Sequence, residues 1–155
     1  FGVKKAKTES EYHELASAML KESELVIAQE FSYSEYDWRI GILDGKPFYA
    51  SKYYMAKGHW QIYNWNAEDK YDQDGNADSL PIEKVPAEII RIAVKSAKLM
   101  GAGLYGIDIK ETKKGPVVIE INDNPNIDAG VEDEYYGDKV YTDIITALKN
   151  RLEKN

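Results

Sequence analysis

Two carboxylates and one carboxamide form the most informative stretch of this chain. Asp108 lies in the run Leu104-Tyr105-Gly106-Ile107-Asp108-Ile109, and Glu120 and Asn122 lie in Val117-Val118-Ile119-Glu120-Ile121-Asn122. Each acidic side chain interrupts an apolar, strand-like run, where an ionised carboxylate is costly unless something compensates it. Thr112-Lys113-Lys114-Gly115 between the runs reads as a turn, so the two form a hairpin. With the turn centred near Lys114, Asp108 and Glu120 fall opposite one another, their Cβ atoms about 5 Å apart. Asn122 shares the face of Glu120, because strand side chains alternate. A one-residue slip would turn one carboxylate away. Hard oxygen donors gathered in this way suit magnesium or manganese. Two strand carboxylates that simply face solvent explain the same pattern about as well. The polar run Glu120-Ile121-Asn122-Asp123-Asn124-Pro125, where the strand leaves the sheet, tips the reading toward a site.

Other chemistries find less support. The chain has no cysteine, which removes disulfides, thiolate metal sites and a cysteine nucleophile. His13 and His59 lie too far apart in sequence to read as a zinc pair. There is no Gly-x-Ser-x-Gly, no Walker A run and no Gly-x-Gly-x-x-Gly fingerprint. An EF-hand also fails. Aligning Gly75 with the obligatory glycine puts Lys70 and Pro81 at the first and last ligand positions, and around Asn124 to Asp128 the glycine position holds Ala129. A net charge of −7 with scattered lysines leaves no basic footprint for nucleic acid. No apolar run approaches the roughly 20 residues that cross a bilayer. Phe1-Gly2-Val3-Lys4-Lys5 lacks the apolar stretch of a signal peptide. A chain without cysteine is compatible with the cytoplasm, where we expect it. It begins without Met in what reads as a strand, so it is expected to be a piece of a longer protein.

The elements that must position these residues are legible from spacing. Thr8-Glu9-Ser10-Glu11 is a capping box, and Tyr12, Leu15, Ala16, Met19 and Leu20 follow at helical intervals, predicting a helix over 9–22. Leu25-Val26-Ile27-Ala28 predicts a buried strand. Trp38–Leu43 and Pro47–Tyr53 flank Asp44-Gly45, a strong hairpin signal. From Asn64 to Pro81 the chain is polar and reads as a long loop. Pro86 opens a second helix whose face is Ile89, Ile90, Ala93, Val94, Ala97 and Met100, ending at Gly101. After the acidic hairpin comes a loop rich in Asn and Asp. A last helix runs from about Lys139 to Leu152, with Val140, Ile144, Leu148 and Leu152 four apart. Hairpins imply antiparallel pairing, so the expected class is α+β, a mostly antiparallel sheet with packed helices.

At this point a family resemblance carries weight. Gly106-Ile107-Asp108-Ile109 followed by Val118-Ile119-Glu120-Ile121-Asn122-Asp123-Asn124-Pro125 resembles the C-terminal signature of the ATP-grasp ligases. Ala28-Gln29-Glu30-Phe31 resembles the hinge strand of that family, and Asp37-Trp38-Arg39 the Asp-x-Arg of its RimK-type branch. The run Asp37-Trp38-Arg39-Ile40-Gly41 is most similar to a RimK-related group with an extra N-terminal domain. The resemblance covers essentially the whole chain. It implies a partial ATP-grasp domain over 1–155, with 1–30 ending the small ATP-binding subdomain and 31–155 forming the C-terminal magnesium and ATP subdomain.

The resemblance also implies roles. Asp108, Glu120 and Asn122 would hold magnesium (or manganese) ions between ATP phosphates. Gln29, Glu30 and Phe31 would lie against adenine, and Asp37 beside the ribose or a neighbouring group. Arg39 and Lys52 would face phosphate or an acyl phosphate, as cations placed for developing negative charge. Gln61 and Asn64 fall in the stretch that approaches the triphosphate, where Gly58-His59-Trp60-Gln61-Ile62-Tyr63-Asn64 departs from the family's Arg-Ser-Asn. Arg39 and Lys52 as ordinary strand residues, and Gln29-Glu30 as polar edge residues, are the plain alternatives. Trp38, Trp60 and Trp65 read as packing residues.

The reaction so implied has two steps: ATP phosphorylates a carboxylate, and an amine then attacks the acyl phosphate with loss of phosphate. Expected partners are ATP, a carboxylate and an amine or amino acid, with a peptide or protein as one candidate for the carboxylate, and neither nucleic acid nor membrane. The glycine-rich loop and lysine of the small subdomain are not found in these residues. The chain alone is therefore expected to bind ATP weakly and not to turn it over. Two other functions remain open: an ATP-grasp kinase, and a non-catalytic module that uses the acidic hairpin for a cation or a basic partner.

Overall fold

A computed structural model describes residues 2–64, 66–69 and 73–153. Phe1, Trp65 and Lys70, which entered the reading above, lie outside the described residues. The chain divides into two compact units, Phe1–Ser32 and Tyr33–Asn155.

In the first unit, helix α1 spans Glu9–Met19, ending short of Glu22. The Thr8 hydroxyl accepts from the Glu11 N–H at 3.2 Å, as a capping box requires. The Glu11 carboxylate reaches back one residue further than expected, to the Lys7 N–H at 2.6 Å. The strands expected at Gly2-Val3-Lys4 and Leu25–Ala28 do not form. Leu25 and Ile27 are 76% and 78% exposed in an extended segment. A strand needs a neighbour for its N–H and C=O groups, and among the described residues none pairs with this run. Hydrophobicity alone cannot supply that neighbour.

The second unit is built on five strands. These are β1 (Tyr36–Leu43), β2 (Lys46–Tyr54), β3 (Ala77–Leu80), β4 (Leu104–Thr112) and β5 (Gly115–Asn122). Helix α2 (Ala87–Met100) connects β3 to β4, and α3 (Lys139–Leu152) follows β5. The sheet order is β3-β2-β1-β4-β5, and every neighbouring pair is antiparallel. This is the α+β class expected. The β1–β2 turn works because Asp44 and Gly45 both take positive φ (49° and 76°), which matches the twist of a two-residue hairpin. Strand β3 is the element missing from the sequence reading, which left 64–81 as loop. Ala77-Asp78-Ser79-Leu80 is four residues long and, among the described residues, pairs with β2 alone. Its shortness and its charge suit an edge, and they also hide the alternation by which a strand is recognised.

The core lies on one face of the sheet. Ile40, Ile42, Ile107 and Ile109 have no exposed surface, and Trp38 joins them, packed as expected. Helix α2 covers them with Ile89, Ala93 and Ala97, one residue every four. The two alanines bring the helix backbone close to the sheet. Full burial of each isoleucine contributes about 2 kcal/mol, so this face holds the unit together. It also leaves the opposite face free for polar side chains, because adjacent strand residues point to opposite sides. No described helix is long and apolar enough to cross a membrane.

Candidate functional site

On the face of the sheet away from α2, the register lines up two rows. The first crosses four strands as Ser51 (β2), Arg39 (β1), Asp108 (β4) and Glu120 (β5). The second, one step along, is Tyr49, Gly41, Gly106 and Asn122. Asp108 and Glu120 are therefore direct partners, and Asn122 shares their face, the register expected from the turn at Lys114. Strand β5 carries one extra residue beyond this point, since Ile109 pairs with Val118. Such a bulge bends the strand just where the carboxylates sit.

Charge on this face is paired across β1 and β4. Arg39 donates from Nε and Nη2 to both oxygens of Asp108 at 2.8 and 2.9 Å, with side chains only 19% and 16% exposed. Burial works against the guanidinium charge, but the hydrogen bonds and the charge of Asp108 more than offset it, and the Arg39 pKa is raised overall. One pair along, Lys110 Nζ sits 2.6 Å from Asp37 and 2.8 Å from the Ser34 hydroxyl. The order of signs is reversed between the two pairs, so each cation has a carboxylate beside it on its own strand. The compensation that the Asp108 carboxylate needs comes from Arg39. Glu120 is exposed, so it needs none. Among the described residues, the side chains of Glu120 and Asn122 make no hydrogen bond or ion pair.

The segment after β5 folds back over the glycine row. Gly41 leaves room for the ring of Tyr49, and a Cβ there would run into it. Gly106 leaves room for Pro125, whose Cβ would lie 2.8 Å from an added methyl. Further along, Glu132 is fully buried. It accepts from the Tyr53 hydroxyl and from the Asp128 N–H, the latter at 2.8 Å. The Arg39 guanidinium lies 4.9 Å over the Tyr53 ring. Burial, then the hydrogen bond to Glu132, raise the Tyr53 pKa. Burial, then the charge of Glu132, raise that of Tyr49. The Tyr49 and Ser51 hydroxyls are buried with no hydrogen-bond partner among the described residues. Tyr53 also lines a cleft of about 310 Å³, together with Tyr63, Asp74, Asn76, Asp128 and Val131.

The remaining sequence candidates scatter. Lys52 pairs with Trp38 in the register and so lies on the α2 face, not with Arg39. Its ammonium sits 4.2 Å over the Tyr36 ring and 4.8 Å over that of Trp38. Arg39 and Lys52, both expected to face phosphate or an acyl phosphate, lie on opposite faces of the sheet because strand side chains alternate. Asp37 does share the Arg39 face, tied to Lys110. Gln61 sits beside His59 at 3.4 Å, and the Asn64 side chain accepts from the Asn66 N–H at 3.2 Å; neither is placed in the Arg39–Asp108 row. Gln29, Glu30 and Phe31 belong to the first unit, exposed and outside any strand, with Lys5 over the Phe31 ring at 3.2 Å. Among the described residues, no group of three or more His, Cys, Asp or Glu side chains is arranged to hold a metal ion. Lys110, Tyr53 and Glu132 were missed by sequence reasoning. Lys110 carried a weak signal, two residues from Asp108 on the same strand face. Glu132 carried none, since the phenol that it binds comes from Tyr53, 79 residues away in the chain.

Comparison with known proteins places this architecture. A family profile for the RimK-like ATP-grasp domain matches residues 73–148. A probable alpha-L-glutamate ligase of Maridesulfovibrio salexigens is 31% identical over 134 residues, covering 84% of this chain and 38% of that protein. The chain thus spans well under half the length of that curated relative. Among solved structures, D-alanine–D-alanine ligase from Bacillus anthracis in complex with ATP superposes with a TM-score of 0.65 at 17% identity, over 100% of this chain and 53% of the other. The ATP-grasp ligase PsnB with a precursor variant, Mg and ADP gives 0.50 at 19% identity, over 75% of this chain and 34% of the other. The antiparallel sheet with its packed helices is the ATP-grasp fold. Residues 73–148 match the RimK-like ATP-grasp family.

Proposed function

We propose that this chain is the magnesium- and nucleotide-facing part of an ATP-dependent ligase that joins a carboxylate to an amine through an acyl phosphate. One observation carries the reading: Arg39, Asp108 and Glu120 stand in a single row, with Asn122 beside them, on the face of the sheet away from α2. The related alpha-L-glutamate ligase and the two ligase structures, solved with ATP and with Mg and ADP, support it by likeness. An amino acid is then the natural amine, and a peptide or protein a fitting carboxylate.

The donor set fits a hard divalent cation. Glu120 offers both carboxylate oxygens and Asn122 its amide oxygen. Asp108 gives two hydrogen-bond sites to Arg39 and keeps the rest of its lone pairs. Asp108, Glu120 and Asn122 are thus the residues that would hold magnesium, which when bound neutralises charge on the transferred phosphate. Arg39, with Nε and Nη2 taken by Asp108, keeps its Nη1 donors and its permanent charge for the phosphoryl oxygens. In the reaction a carboxylate oxygen attacks the γ-phosphorus and ADP leaves. The amine then attacks the acyl carbon, phosphate leaves and the amine gives up a proton. Gln29, Glu30, Phe31, Asp37, Gln61 and Asn64 remain assigned to the nucleotide by family resemblance. Lys52 keeps a weaker claim, because its face is the other one. A cytoplasmic location suits a consumer of ATP and magnesium.

Thermal unfolding with magnesium and a non-hydrolysable ATP analogue tests this. Ligand at about a hundred times its Kd adds about 2.7 kcal/mol, a rise of roughly 5–10 °C for a chain of this size. The shift should need both components and should vanish in Glu120→Gln, the cleaner variant because its side chain has no partner to lose. Asp108→Asn should behave alike but also weaken the Arg39 pair. An undiminished shift in Glu120→Gln, or one that ignores magnesium, rejects the proposal.

A further inference from the structure

We propose that Glu132 and Tyr53 are positioning residues that fix the Arg39 guanidinium and tie its orientation to the segment after β5. The inference rests on the reading above only in that Arg39 is taken to face the transferred phosphate.

Two contacts set the guanidinium. The fork to Asp108 fixes its long axis through two parallel hydrogen bonds. The Tyr53 ring, 4.9 Å beneath, fixes which way the plane lies. Ser51 stands opposite Arg39 on β2 but leaves its hydroxyl unpartnered among the described residues, so it contributes no hold. The ring is therefore the element whose movement would let Arg39 swing about the Asp108 fork.

Tyr53 is itself held by Glu132. A fully buried carboxylate whose hydrogen bonds come from a phenol and a backbone N–H is an expensive choice for a packing position, where an apolar residue would do. What the carboxylate supplies is direction and field. It anchors the phenol oxygen, and by drawing on that O–H it makes the ring face more negative, strengthening attraction for the guanidinium. Its second bond, from the Asp128 N–H, passes the same constraint to the loop that carries Asp128 and Val131 and lines the cleft. The chain of contacts is then loop, Glu132, Tyr53, Arg39, Asp108, each link a named hydrogen bond or ring contact.

The intact chain labelled with ¹⁵N tests this through the Arg39 Nε–H signal, compared among wild type, Tyr53→Phe and Glu132→Gln. Exchange of that proton with water should be about tenfold faster in both variants while backbone amides of β1 and β4 keep their protection. Unchanged Nε–H exchange in both variants overturns the proposal. So does equal loss of backbone protection, which would mean a purely structural role. A second readout links it to function. Affinity for magnesium with the ATP analogue should fall several-fold in Tyr53→Phe, and Tyr53→Phe should change nothing further once Arg39→Ala is present. Equal weakening in both backgrounds counts against positioning. If wild type binds no nucleotide, the ligase reading fails, and the Nε–H exchange alone decides the positioning claim.

Discussion

At the scale of single residues, the pairing of Arg39 with Asp108 governs what this face can do. Both side chains are mostly withdrawn from water, and each is the other's compensation. Removing one partner leaves a buried charge unpaired, which is far worse than removing both. Arg39→Ala should therefore lower unfolding stability by about 3–5 kcal/mol, measured by urea titration, and adding Asp108→Ala should restore a substantial part of it. If the double variant is the weaker by the sum of both single losses, the two residues are energetically independent and the pair is a surface ornament. The sequence made Asp108 and Glu120 stand out, since each breaks an apolar run. It could not show Arg39 beside Asp108, because the two lie 69 residues apart and only the β1–β4 pairing joins them. That is why burial of Asp108 looked like a demand for a metal when an arginine already met it.

At the scale of elements, what could be read was local and what could not was pairing. Helix α3 has the limits its four-residue spacing implied, and α2 starts one residue after Pro86. Both hairpins close where Asp44-Gly45 and Lys113-Lys114 said they would. Strand β3 and the unpaired segment at Leu25–Ala28 went the other way, because a short polar edge strand and a lone apolar run are decided by neighbours rather than by their own composition. The glycine pair Gly41 and Gly106 lies between these cases. Both were quoted as motif residues with no reason for being glycine, and the reason is the two groups that lie on them, Tyr49 and Pro125. The two positions should respond differently to a methyl. At Gly41 the obstacle is the fully buried Tyr49 ring, which has nowhere to go, so Gly41→Ala should destabilise the whole unit by about 1–3 kcal/mol. At Gly106 the obstacle belongs to a loop that can lift, so Gly106→Ala should speed amide exchange over 123–132 more than it lowers the urea midpoint. Equal global losses at both sites would show that the loop is as rigid as the strands.

At the scale of the whole molecule, tyrosines on both faces of the sheet store a pH dependence. Tyr36 is pushed up to about 12 by burial and by its hydrogen bond to Glu111, and Tyr49 and Tyr53 are raised further by burial beside Glu132. In the unfolded chain a tyrosine titrates near 10. Each of these phenols thus holds its proton more tightly when folded. The stability they contribute is complete below about pH 10. Above that, the unfolded state loses protons that the folded state keeps, so unfolding becomes easier as pH climbs toward and through the folded values. For Tyr49, which has no exposed surface, the slope should approach about 1.4 kcal/mol per pH unit above pH 10. Lysines also titrate in this range, so the informative comparison is wild type against Tyr49→Phe. Urea midpoints from pH 8 to 11.5 should be flat at first for both proteins and then fall, with the variant falling less. The variant keeps the ring that fills the space over Gly41 and gives up only a hydroxyl that has no partner among the described residues. Its stability at pH 8 should therefore match wild type or exceed it, since an unsatisfied buried hydroxyl is a cost. Parallel curves for the two proteins above pH 10 would mean that Tyr49 ionises as freely folded as unfolded, and that the polar face is open to water where the structure closes it.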